Sequence, residues 1–178
     1  PFLRMADAKI DGTYTFTGSQ LKVDPGMPPL TDVNGRLKFT GNSLDADRVR
    51  ANILGMPMSL GLKTAGNGAV SVIADGSLNI ADLRRQGYHP AFDHLSGKST
   101  WHGTVLARKR NADVIIESRL QGISSSLPIP FNKSASEALP VRFERKLLPK
   151  PLRQAAPSAK SAAPAWPRDQ IDVTLGRA

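Results

Sequence analysis

Hydrophobic and polar residues alternate with period two along most of this chain. In the stretch 33–63, Val33, Leu37 and Phe39 alternate with Asn34, Arg36, Lys38 and Thr40. Val49, Ala51 and Ile53 then alternate with Arg48, Arg50 and Asn52, and Met56, Met58, Leu60 and Leu62 stand opposite Pro57, Ser59, Gly61 and Lys63. Successive side chains of a strand point to opposite faces, so each run keeps an oily face and a polar one. The pattern extends both ways. Ile10, Gly12, Tyr14 and Phe16 form an earlier strand, which resumes at Leu21 and Val23 after a Gly-Ser turn. Val70, Val72 and Ala74 continue after the turn "AGNG", 65–68; Trp101, Gly103, Val105 and Ala107 follow, then Val114, Ile116, Ser118 and Leu120, then Val141, Phe143, Arg145 and Leu147. "TGNSLD" and Leu54-Gly55 read as tight turns.

Other segments break the rhythm. "DPGMPPL", 24–30, is a proline-rich crossing that cannot pair as a central strand. "NIADLRRQG", 79–87, reads as a short helix with Asn79 as N-cap and Gly87 as its stop. "HPAFDHLSG" reads as loop or one more helical turn, and 121–140 as irregular. Residues 149–168 are Pro/Ala/Ser-rich and read as a linker or long loop; a further strand starts within 169–178. The fold class is mainly β, an antiparallel meander with one short helix. Turn signals every 8–12 residues or so suit a sandwich, a barrel or a curved single sheet, and periodicity does not separate these.

Composition narrows the setting. The chain has 178 residues, 40% hydrophobic and 22% charged, enough for one domain with a core plus a tail. No apolar run approaches the roughly 18 residues of a transmembrane helix. There is no cysteine, hence no disulfide or thiolate metal site. An opening without Met or a leader suggests a segment of something longer. The formal net charge is +9, and more than half of the excess falls from Pro140 onward. Upstream, charges of both signs are interspersed along the strands, as on a solvated face.

Catalytic chemistry is thinly represented. His89, Asp93 and His94 could converge on paper, but the histidines are five apart in a loop, not at the helical i, i+4 spacing of a zinc pair. "GKST", 97–100, lacks the upstream glycine of a phosphate loop, since Phe92 stands there. "GNG", 66–68, has no third glycine, and no Gly-x-Ser-x-Gly elbow exists. Asn132-Lys133-Ser134 fits a glycosylation sequon, a low-information match. Asp45 and Asp47, two apart on a strand, share a face and read as a charged strand edge. Arg36, Lys38, Arg48 and Arg50 could make a basic patch, but with aromatics at 6% the stacking platform of a nucleic-acid binder is missing. No enzyme, cofactor, metal site or nucleic-acid partner is expected.

Three motifs in order carry a resemblance. "GMPPLTDVNGRLKFTGNSLDADRVRANILGMPMSLGLK", 26–63, "HLSGKSTWHGTV", and "LQGISSSLPIPFNKSASEALPVRFER", 120–145, resemble the YhdP branch of the AsmA-like periplasmic proteins of Gram-negative bacteria. The resemblance covers most of 1–148; the aromatic residue common near the prolines is lacking. It implies a strongly curved, groove-like sheet, 1–148 being one β-groove segment of a longer protein. That protein would be anchored in the inner membrane, extend through the periplasm and carry phospholipid towards the outer membrane. Its partners would be phospholipid acyl chains, and both membranes through other parts of the protein. The groove would be lined by Val33, Leu37, Phe39, Val49, Ala51, Ile53, Met56, Met58, Leu60, Leu62, Val70 and Val72. The competing reading is a closed β-sandwich that binds envelope proteins or glycans.

Overall fold

The computed structural model describes residues 10–22, 27–87, 89–108, 111–147 and 169–176. Within them the chain forms a single open antiparallel sheet of ten strands. The strands are β1 (Asp11–Leu21), β2 (Leu30–Thr40), β3 (Leu44–Ile53), β4 (Met56–Thr64), β5 (Val70–Asn79), β6 (Leu95–Arg108), β7 (Asn111–Ser118), β8 (Ile123–Ser125), β9 (Val141–Leu147) and β10 (Asp169–Leu175). Each pairs with its neighbour in sequence, except that β7 pairs β9 and the short β8 pairs the start of β6. The expectation of a meander with one short helix holds, and a two-sheet sandwich is not formed among the described residues.

Local chemistry explains the punctuation. Ile53 pairs with Met56, leaving a two-residue turn in which Leu54 (φ 51°) and Gly55 (φ 71°) both take positive φ, as a primed hairpin turn requires. The β2–β3 connection is tied by Thr40, whose Oγ1 accepts from the Ser43 amide at 3.1 Å. Gly18-Ser19 is not a turn. β1 runs through it with a register shift, Gly18 at φ 58° donating its N–H to Asn34 Oδ1 at 3.0 Å. The period-two pattern restarts after an inserted residue, so a bulge and a turn look alike in sequence. The proline-rich crossing ends one residue earlier than 24–30 implies, because Leu30 already opens β2 and is buried.

The helix, α1 (Ile80–Gln86), has the expected caps. Asn79 Oδ1 accepts from the Ala81 amide as N-cap, and Asn79 Nδ2 donates to Asp82 Oδ2 at 2.8 Å. Gly87 donates to Leu83 O but has extended backbone, so its role as stop does not use left-handed geometry. The next segment is a 3-10 turn, Pro90–His94. Both pack at the ends of β5 and β6 and do not form a second layer over the sheet. The 149–168 linker lies outside the described residues. Beyond it, β10 pairs along its whole length with β9 and so extends the same sheet.

Candidate functional site

The register places most apolar residues of the long strands on one face, with Ile73, Leu106 and Ile115 on the other. One row of directly paired residues runs Val49, Leu60, Ala74, Gly103, Ile116, Phe143, Val173. The next runs Ala51, Met58, Gly76, Trp101, Ser118, Val141, Leu175. A third runs Ala46, Leu62, Val72, Val105, Val114, Arg145, Ile171, with Arg145 its charged member. On the β1 side, Phe39, Leu37 and Gly35 pair with Gly12, Tyr14 and Phe16. Side chains paired across strands are neighbours, so these rows form an extended apolar surface broken at Ser118 and Arg145.

That surface is graded in depth. Around β2–β5 it closes into a core of Leu30, Val33, Ala46, Val49, Ala51, Met58 and Ala74, against which Phe16, Leu37, Ile53, Leu60, Leu62 and Trp101 pack. Val33 is 1% exposed although no second sheet covers it among the described residues. The register shifts in the β1–β2, β2–β3 and β3–β4 ladders supply local bend and twist that bring these neighbours together. Towards β10 the same face opens, with Ile171 57% and Val173 64% exposed. At the β1 edge, Tyr14 is 55% exposed and stacks edge-on to Phe16, ring centroids 4.8 Å apart.

Two aromatics lie over glycines. A Cβ at Gly12 would come within 2.5 Å of Phe39 Cζ, and one at Gly76 within 2.4 Å of the Trp101 ring. At these two positions glycine serves space rather than dihedral freedom, letting a ring lie flat against a neighbouring strand.

The opposite face is polar. One row reads Arg50, Ser59, Asp75, His102, Glu117, Arg142, Thr174 across seven strands. His102 Nδ1 and Asp75 Oδ1 are 2.8 Å apart, and Arg142 pairs with Glu117. On β9, Lys146 Nζ sits 2.8 Å from Glu144 Oε1. Donation from Lys146 holds the Glu144 carboxyl below its usual range, and Glu144 raises Lys146 in return. A cleft of about 540 Å³ is lined by residues of β5, β6, β7, β9 and β10. Asp75, His102, Glu117 and Arg142 of the polar face line it together with Gly76, Trp101, Ser118 and Val141 of the second apolar row.

Residues weighed for chemistry are used locally. His89 Nδ1 accepts from the Ala91 amide and caps the 3-10 turn; its ring meets Phe92 at 6.0 Å. His94 O accepts from the Ser126 amide at 2.8 Å. No group of three metal-ligating side chains occurs among the described residues. Arg36, Lys38 and Arg50 lie on the polar face, but Lys38 pairs with Asp45 and Asp45 with Lys63, so sign alternates across the expected basic patch.

Of the groove residues expected from sequence, Val33, Val49, Ala51, Met56 and Met58 are buried, while Leu37, Phe39, Ile53, Leu60, Leu62, Val70 and Val72 are partly open. The register aligns them on one face. It adds Leu30, Ala46, Ala74, Trp101, Ile116 and Phe143, most of them carried by the same alternation. No helix among the described residues is long and apolar enough to cross a membrane. No curated protein and no solved structure matches the chain significantly. The model of the YhdP protein family matches residues 1–163, and the chain therefore belongs to the YhdP family.

Proposed function

We propose that this chain is a non-catalytic lipid carrier, holding phospholipid acyl chains on the apolar face of its open sheet. The carrying observation is the set of apolar rows spanning seven strands of a single open sheet. In water, a lipid tail of about 16 carbons costs on the order of 12 kcal/mol at about 0.8 kcal/mol per CH₂. A strip of apolar sheet removes most of that cost without any bond being made or broken. Apart from Ser118 and Arg145, the rows offer no group that binds one chain position by directional contacts, so a tail can slide from strand to strand. Val33, Val49 and Ala51 pack beneath as the floor; Leu60, Leu62, Val72, Ile116, Phe143 and Val173 meet the tail. The setting we infer is the periplasm, within a longer inner-membrane-anchored protein that moves phospholipid towards the outer membrane.

Photocrosslinkers test this in cells. Placed at Leu62, Val72 or Phe143 they capture phospholipid, and placed at Arg50 or Ser59 on the polar face they do not. Equal capture from both faces overturns the reading. Leu60→Lys puts a charge in the path and stops lipid passage in an intact sheet.

A further inference from the structure

We propose that the loop tip 127–131 is a membrane-docking site, which seats this end of the sheet on an anionic bilayer surface. The tip reads Leu-Pro-Ile-Pro-Phe, and no charged residue stands between Arg119 and Lys133. Pro128, Ile129, Pro130 and Phe131 are all exposed, Ile129 at 84% and Phe131 at 52%. Consecutive apolar side chains held this far into water mark a contact surface. Ser125 and Lys133 exchange backbone hydrogen bonds at 2.9 and 3.1 Å and close the loop at its neck. Behind the neck, β8 pairs with the start of β6, Leu95 with Ser125 and Gly97 with Ile123. The tip therefore lies past the last strand pair, beyond the apolar rows. A fixed neck keeps the ordering cost of docking small.

The backbone of the tip suits hydrocarbon. An N–H that leaves water without an acceptor is costly there. Pro128 and Pro130 have none, Phe131 donates its own to Pro128 O at 2.9 Å, and Leu127 donates to Ser125 Oγ at 3.4 Å. Within the tip, only the Ile129 N–H is left without an acceptor among the described residues. A protein partner reads a loop through directional bonds and charge, and this tip offers it one free donor and no charged group.

Charge at the base of the loop favours an anionic surface. The Lys98 N–H donates to Gly122 O at 3.2 Å, and both residues line a cleft of about 460 Å³ together with Arg119. Lys98 and Arg119 are its charged lining residues, and both are cationic. Asp82, whose carboxylate feels the charge of Lys98, is already held by Arg85 and Asn79. Only β8, Ile123–Ser125, separates this base from the neck. At about 3.3 Å per residue the cations stand roughly 10 Å behind the tip, about one Debye length. Ile129 and Phe131 enter the boundary between headgroups and acyl chains, and Lys98 and Arg119 meet the phosphates.

Vesicles of phosphatidylcholine with phosphatidylglycerol test it on the full chain. The chain has no cysteine, so Pro128→Cys carries a single environment-sensitive nitrobenzoxadiazole label at the tip. Gly66→Cys, in the turn before β5 at the opposite end of the strands, carries the control label. On adding vesicles the tip label brightens and shifts to the blue, and the control label does neither. In flotation, Ile129→Ser with Phe131→Ser lowers partition into the vesicles about a hundredfold. Lys98→Gln with Arg119→Gln lowers it about tenfold, to the level seen with phosphatidylcholine alone. Docking is independent of tail carriage, so Leu60→Lys partitions like the wild type. An unchanged tip label, or a serine variant that floats like the wild type, overturns the docking site and leaves lipid capture at Leu62, Val72 and Phe143 standing. A photocrosslinker at Pro128 that captures protein and no lipid in cells overturns the bilayer as the occupant.

Discussion

At the scale of single residues, two side chains occupy costly places. Leu54 occupies the left-handed region at φ 51° in a two-residue hairpin turn that favours Asn-Gly. An L-residue there carries about 1 kcal/mol of strain. Leu54→Asn raises stability by about that amount, read as a higher urea midpoint; an unchanged or lower midpoint shows that Leu54 contributes compensating packing. Lys133 is 8% exposed, and its Nζ donates to three backbone carbonyls, those of Leu120, Ile123 and Ser134. Its backbone also bridges Ser125, so one residue ties the irregular loop shut at both ends. Lys133→Met leaves those carbonyls short of donors and destabilises by about 3 kcal/mol. Faster proteolysis within 119–140 accompanies the loss, and wild-type resistance would contradict the clamp. In the sequence this lysine reads as the middle of a glycosylation sequon and as a member of the 120–145 motif that resembles the family, neither of which gives it a structural role. Its role depends on a loop closure that no local pattern encodes.

At the scale of elements, strands and caps were legible because their signals are local. Alternation marks a strand whatever it pairs with, and Asn79 caps α1 through contacts three residues long. Pairing partners are not local, which is why β10 reads as a stray strand and turns out to zip onto β9. The groove residues expected from sequence end at Val72, yet the same face continues through Trp101, Ile116 and Phe143, since only the register shows that separate runs share a side. Asn79→Ala removes the acceptor for Ala81 N and costs α1 about 1 kcal/mol. Hydrogen exchange then speeds in α1 while β3–β6 stay protected. The helix also has an acid limit. Donation from Arg85 is the main cause that holds the Asp82 carboxyl below its usual value. A depressed carboxylate stabilises the folded form above its ordinary pKa and loses that contribution as pH falls through the lowered one. Exchange in α1 therefore accelerates below the usual carboxylate range, and in Asp82→Asn it no longer follows that titration.

At the scale of the whole molecule, the sheet behaves as a ribbon rather than a closed body. Each long strand leans on its neighbours, and the outer edges of β1 and β10 carry no further strand among the described residues. Both edges also present apolar side chains, Tyr14 on one and Ile171, Val173 and Leu175 on the other. An unpaired edge with apolar side chains is a template for another strand. The alternating charges of the polar face do not protect these edges, because they project from the other side of the ladder. The isolated chain therefore associates edge to edge, with its molar mass by light scattering rising with concentration. Tyr14→Lys combined with Val173→Lys places a charge on the apolar side at each edge and returns the chain to monomer, without touching the core of Val33, Val49 and Ala51. Two results would separate this from association through the apolar face itself. Lipid loading dissolves a face-to-face dimer but leaves an edge-to-edge one, and Leu60→Lys breaks the former while sparing the latter. A wild-type chain that stays monomeric at every concentration shows that the edges are protected in solution.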